Sequence, residues 1–125
     1  MKQRIVGLIL FLILCLLVNG CCEQVSVFPA GAYVATASGQ DIILDFASDG
    51  SYSAVLAGRA LLTEGRYRCA GNVITFAADM VCRDEATYEW MLENHTLTFE
   101  VKGRDQCPER LRRLQDTVYT CVTCS

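Results

Sequence analysis

Thr87-Tyr88-Glu89-Trp90-Met91-Leu92-Glu93-Asn94-His95-Thr96-Leu97-Thr98-Phe99-Glu100-Val101-Lys102 is the stretch that decides the fold. Tyr88, Trp90 and Leu92 alternate with Thr87, Glu89, Met91 and Glu93; beyond Asn94-His95, Leu97, Phe99 and Val101 alternate with Thr98, Glu100 and Lys102. A period of two sends successive side chains to opposite faces of a strand, so this stretch is a β-hairpin with one apolar and one polar face.

The same period extends outward in both directions. Ile42, Leu44 and Phe46 alternate with Asp41, Ile43 and Asp45, and Tyr52, Ala54 and Leu56 follow the turn Ser48-Asp49-Gly50. Leu62 to Cys69 and Val73 to Ala78 flank Gly71-Asn72, a pair that tolerates the positive φ of tight hairpins. Thr117 to Thr123 alternates again. One break is helical: Pro108-Glu109-Arg110-Leu111-Arg112-Arg113-Leu114-Gln115 has Pro where a first turn accepts it and Leu111 and Leu114 three apart. Seven to eight short strands joined by consecutive hairpins predict an all-β, small antiparallel up-and-down barrel with one short C-terminal helical turn. So narrow a barrel is filled by side chains or holds one small ligand.

The N-terminus carries Lys2 and Arg4, an apolar run of fourteen residues from Ile5 to Val18, then Asn19-Gly20-Cys21-Cys22. Fourteen apolar residues fall short of the roughly 20 a spanning helix needs. This layout predicts a signal peptide over 1–20, cleaved before a lipid-carrying Cys21, and a tether over 21–30 leading to the barrel at 31–125. Plain secretion is the alternative. The eight cysteines agree with the lipid reading: Cys15 leaves with the signal and Cys21 takes the lipid. Cys22, Cys69, Cys82, Cys107, Cys121 and Cys124 then form an even set suited to an oxidising compartment, with 15 possible pairings. Removing Lys2 and Arg4 leaves nine basic against 14 acidic residues, a net charge of −5. Such a balance lacks the Lys and Arg clusters that nucleic acid demands. Membrane contact is therefore expected through acyl chains, and Asn94-His95-Thr96 is read as a chance sequon.

Several motifs together resemble small bacterial extracytoplasmic domains of lipocalin-like (calycin-like) type. They are Gly31-x-Tyr33, Leu44-x-Phe46-x-x-Asp49-Gly50-x-Tyr52, Gly65-x-Tyr67 with Asn72-x-Ile74-x-Phe76, Cys82, Tyr88-x-Trp90, Leu97-Thr98-Phe99 and Asp105-x-Cys107-x-x-Arg110. The resemblance implies a barrel of about eight antiparallel strands, a disulfide between Cys82 and Cys107, and Arg110 as a salt bridge or cap across the barrel end. Gly31-Ala32-Tyr33 stands where true lipocalins carry Gly-x-Trp, a departure that argues against a deep lipocalin pocket.

Candidate chemistry is sparse. Cys121-Val122-Thr123-Cys124 is a C-x-x-C, but redox catalysis needs its thiolate at a helix N-terminus in a βαβ setting. Structural pairing of one of the two with Cys69 and the other with Cys22 is expected instead. Cys69, Cys121, Cys124 and His95 lack the two ligand pairs of a zinc site, so no metal and no cofactor are expected. Asp79, Asp84 and Glu85 read as a solvated loop, and no catalytic constellation is present. Non-catalytic binding of a small amphipathic ligand or envelope component remains, with Tyr33, Tyr52, Tyr67 and Trp90 at the barrel mouth and Arg110 near the rim. The alternative partner is a protein, with the chain acting as an envelope inhibitor of lysozyme or protease type. A hollow interior favours the first reading, a filled core with a protruding loop the second.

Overall fold

The computed structural model describes residues 27–37, 39–58 and 60–124. The signal peptide, Cys21, Cys22 and most of the tether lie outside the described residues. The chain runs β1 (Gly31–Ala37), β2 (Gln40–Phe46), β3 (Ser51–Leu56), β4 (Leu61–Ala70), β5 (Val73–Ala77), β6 (Ala86–Glu93), β7 (Thr96–Lys102), α1 (Pro108–Gln115) and β8 (Tyr119–Cys124). Each strand pairs antiparallel with the next and β8 returns to β1, closing an eight-stranded barrel.

The hairpin quoted above is β6 and β7, paired from Thr87↔Lys102 to Glu93↔Thr96. Its turn takes positive φ at Asn94 (50°) and His95 (64°), as a two-residue hairpin turn requires. Inward residues of successive strands meet in an aromatic core. Phe46 packs against Phe28 and Tyr67 with ring centroids 4.8 and 5.2 Å apart, and Phe76 packs against Tyr52 and Tyr88 at 5.0 and 5.8 Å. Phe99 joins Tyr88 to Tyr119. Edge-to-face geometry recurs through these pairs, which sets the negative face of one ring against the positive edge of another. The interior is therefore filled by side chains.

Closure is uneven. β8 meets β7 only through Thr96↔Thr120 and Leu97↔Tyr119. Beyond Leu97, α1 takes over the β7 edge, where Gln115 Oε1 accepts the Val101 amide at 3.1 Å. The C-terminal carbonyls of α1 are met by Thr117 Oγ1, which donates to Arg112 O at 3.1 Å, and by the buried Tyr119 hydroxyl, which donates to Arg113 O at 2.8 Å.

On the other side of β8, Ala32 faces Thr123 while Tyr33 faces Cys121, leaving Val122 as an extra, bulged residue. Gly31 faces Cys124 with φ 145°, and a Cβ there would stand 1.8 Å from Thr123 O. Gly31→Ala should therefore cost at least about 2 kcal/mol in urea unfolding, against about 1 kcal/mol for Gly39→Ala, which also has positive φ but meets nothing within 4 Å. Equal loss in the two variants would contradict the close approach of β1 to β8.

Candidate functional site

Strands that alternate up and down sort the connections to two ends. One end carries the β1–β2, β3–β4 and β5–β6 connections and α1; the other carries the N-terminal segment, the β2–β3, β4–β5 and β6–β7 turns and the end of β8.

At the first end the β5–β6 connection, residues 78–85, is fastened along its length. Ala78 takes φ 50°, and the chain then folds against β4 at Gly65, where a Cβ would stand 2.9 Å from the Asp79 Cα. Asp79 Oδ1 accepts Thr63 Oγ1 at 2.5 Å and the amides of Val81 and Cys82 at 2.8 and 3.0 Å, while Oδ2 accepts the Tyr52 hydroxyl. Met80 N donates to Glu64 O at 2.9 Å. Cys82 is buried and disulfide-bonded to Cys107, with Cα atoms 5.7 Å apart at a sequence separation of 25. Closing that loop stabilises the fold by about 3.5 kcal/mol in the chain-entropy model. Between these fastenings Met80 and Val81 stand 58% and 44% exposed.

The far side of the loop is held by Arg110, which is 1% exposed. Its Nε donates to Asp105 Oδ2 at 2.8 Å and its Nη2 donates to Asp105 Oδ1 at 2.9 Å and to Asp84 O at 2.7 Å. Asp105 also accepts the Tyr88 hydroxyl and the Cys107 amide. Arg110 is thus no rim residue; it bridges α1, β6 and the loop from inside, the structural use implied by the lipocalin-like pattern. Its Nη1 has no protein acceptor, so the cost of dehydrating the guanidinium is only partly offset and the pair fixes geometry more than it adds stability. Burial pushes the Asp79 and Asp105 carboxyls up. Hydrogen bonds from Thr63, Tyr52 and two amides at Asp79, and from Arg110, Tyr88 and Cys107 at Asp105, outweigh it and hold both below the usual carboxylate value.

At the second end Phe28, from the tether, plugs the mouth. Its ring lies edge-on to Tyr67 and Trp90, with centroids 5.7 and 5.2 Å away. Tyr67 and Trp90 are half-buried around it, and their polar atoms donate to Ala47 O and Gly71 O. Tyr33 is fully buried and donates to Pro29 O at 2.6 Å. Burial, aided by Tyr67, lifts the Tyr33 phenol to about 12. Of the residues expected at a ligand mouth, only Tyr67 and Trp90 meet at this end with open faces; Tyr33 and Tyr52 belong to the packed interior.

Three readings from sequence are corrected. Cys121 and Cys124 bond to each other, not to Cys69 and Cys22, because the bulge at Val122 returns both sulfurs to one face of β8. Cys69 is unpaired and exposed on β4, and desolvation of its thiol raises it to about 11. Asp79 is half-buried and fully engaged, not solvated. Phe28 and the Met80-Val81 tip are residues sequence reasoning passed over, and Asp105 stood in the Asp105-x-Cys107-x-x-Arg110 pattern without a role. Asp105 two before Cys107 carried a signal, since a carboxylate there accepts the Cys107 amide.

Comparison with protein-family models, curated proteins and solved structures finds no match to this chain. The two disulfides are of the kind that persists in oxidising compartments outside the cytoplasm.

Arg110→Met strands the Asp105 carboxylate and should cost about 3–5 kcal/mol in urea unfolding, whereas Arg68→Met, which breaks a solvated pair with Glu85, should leave the midpoint in place. A small loss for Arg110→Met would contradict the bridging role. Because the unfolded carboxyls take up protons before the folded ones, stability present above about pH 4 should be lost as pH falls below it. Urea midpoints measured across that range should slope less in Asp79→Asn; identical slopes would contradict the low carboxyl.

Proposed function

We propose that the chain is a non-catalytic cell-envelope lipoprotein that binds another protein through the loop at 78–85. The observation that carries this reading is that Met80 and Val81, 58% and 44% exposed, ride on a segment pinned by Asp79, by Cys82–Cys107 and by Arg110. A partner meeting such a loop loses little conformational entropy, which is how preorganisation raises affinity. Arg83, Asp84 and Glu85 supply a polar rim around the apolar tip. The fitting partner is an envelope enzyme with an apolar-lined cleft, of lysozyme or protease type. The tether from the lipidated Cys21 joins the barrel at the opposite end, so the loop projects away from the membrane.

A second reading, a small amphipathic ligand, is favoured by one feature: a cleft of about 330 Å³ bordered by Val27, Phe28, Pro29, Ala30, Ser48 and Tyr67. A ligand there displaces or stacks beside Phe28 and does not enter the barrel.

Titrating the protein against lysozymes and serine proteases distinguishes the two. Stoichiometric inhibition of one enzyme class is expected, weakened at least about 100-fold by Met80→Asp with Val81→Asp and unaltered by Trp90→Phe. Absence of binding to every enzyme, with a thermal shift induced by amphipathic ligands, would replace the first reading by the second.

A further inference from the structure

His95, Cys121 and Cys124 converge at the end of the barrel where Phe28 sits. Their ligand atoms, one imidazole nitrogen and two sulfurs, lie within 4.8 Å of one another. Two features of the backbone produce this. Cys121 N donates to His95 O at 2.7 Å, tying the β6–β7 turn to β8, and the positive φ of 64° at His95 fixes the turn. In an unbroken strand, residues three apart face opposite ways; the bulge at Val122 restores Cys121 and Cys124 to the same face, opposite Tyr33 and Gly31. In the structure the two sulfurs are joined, and the bond closes the site.

We propose that reduction of the Cys121–Cys124 disulfide opens a site in which His95, Cys121 and Cys124 bind one soft d10 metal ion, zinc(II) or copper(I). An external dithiol supplies two electrons and two protons: its own S–S bond forms as the Cys121–Cys124 bond breaks, leaving two thiols. Metal uptake then forms two metal–sulfur bonds and one metal–nitrogen bond and releases both thiol protons to solvent. Metal–sulfur and metal–nitrogen bonds of about 2.3 and 2.0 Å put the imidazole nitrogen about 3.5 Å from each sulfur and the sulfurs about 3.7 Å apart, so His95 closes in by no more than about 1.3 Å while the two sulfurs, once unbonded, part by about 1.7 Å. Thiolate and imidazole together select soft and borderline ions over calcium and magnesium. Copper(I) is content with three ligands, whereas zinc leaves its fourth position to water or to a donor from a partner. His95 is exposed and the two cysteines are half-buried, so dithiol and ion both reach the site. Cys82–Cys107 is less open to the same reductant, since Cys82 is 3% exposed. The disulfide therefore acts as a redox gate on metal binding.

The test uses the full chain carrying Cys69→Ser, which removes the unpaired thiol on β4 from the count. After reduction by a dithiol and its removal without oxygen, the chain is titrated with zinc(II) against a colorimetric chelator and, separately, with copper(I) against bicinchoninate. One more equivalent should bind than in the same chain bearing Cys121→Ser and Cys124→Ser, and the oxidised chain should lack that equivalent. His95→Asn keeps a residue suited to positive φ while removing the imidazole, and should weaken binding at least about tenfold with an unchanged circular dichroism spectrum. Uptake in either arm names the ion and supports the site. Equal uptake by the serine variant, undiminished affinity in His95→Asn, or no uptake in either arm would overturn it.

Discussion

The pairing of Arg110 with Asp105 inside the barrel is the constraint on which the rest of one end depends. A guanidinium removed from water needs acceptors, and here they come from separate elements: the Asp105 carboxylate and the Asp84 carbonyl. Satisfying one side chain thus docks α1 onto the barrel and draws the β5–β6 loop over the opening. Tyr88 and the Cys107 amide complete the carboxylate, and the neighbouring Cys82–Cys107 bond makes the arrangement covalent. Eight short strands leave little interior volume, so core aromatics and this polar lock fill it between them.

The two ends consequently differ in character. The locked end carries an apolar tip whose Met80, Val81 and Cys82 amides are already bonded within the fold. The other end is closed by the insertion of Phe28 between Tyr67 and Trp90 and by the β1–β8 ladder, where Gly31, the bulge at Val122 and the Cys121–Cys124 bond occur together. Rigidity, ring packing and sulfur chemistry are divided between opposite faces of one small barrel.

Strand by strand the architecture was legible because period two survives wherever one face is buried: Leu44 and Phe46, Tyr52 and Ala54, Ile74 and Phe76, Leu97 and Phe99 all point inward as their alternation requires. Pro108 and the Leu111–Leu114 spacing gave the helix its limits. What escaped was whatever depends on long-range closure. Whether Asp79 is solvated is decided by Gly65, Thr63 and Tyr52 on other strands, and no local pattern reports that. The bond between Cys121 and Cys124 escaped for a related reason, since regular alternation sends them to opposite faces and only the register shift against Ala32 and Tyr33 reunites them. Arg110, expected as a salt bridge or cap across the barrel end and also placed near the rim, owes its burial to the Asp105 carboxylate in the preceding connection.

Amide hydrogen exchange on the native protein, resolved by residue, tests the locked loop most directly. Met80 N is bonded to Glu64 O, and the Val81 and Cys82 amides are bonded to Asp79 Oδ1. A preorganised loop predicts protection at these three amides approaching that of the β4 and β6 strands beside them. Exchange at the rate of an unstructured chain would contradict it and leave the proposed docking surface without its rigid support.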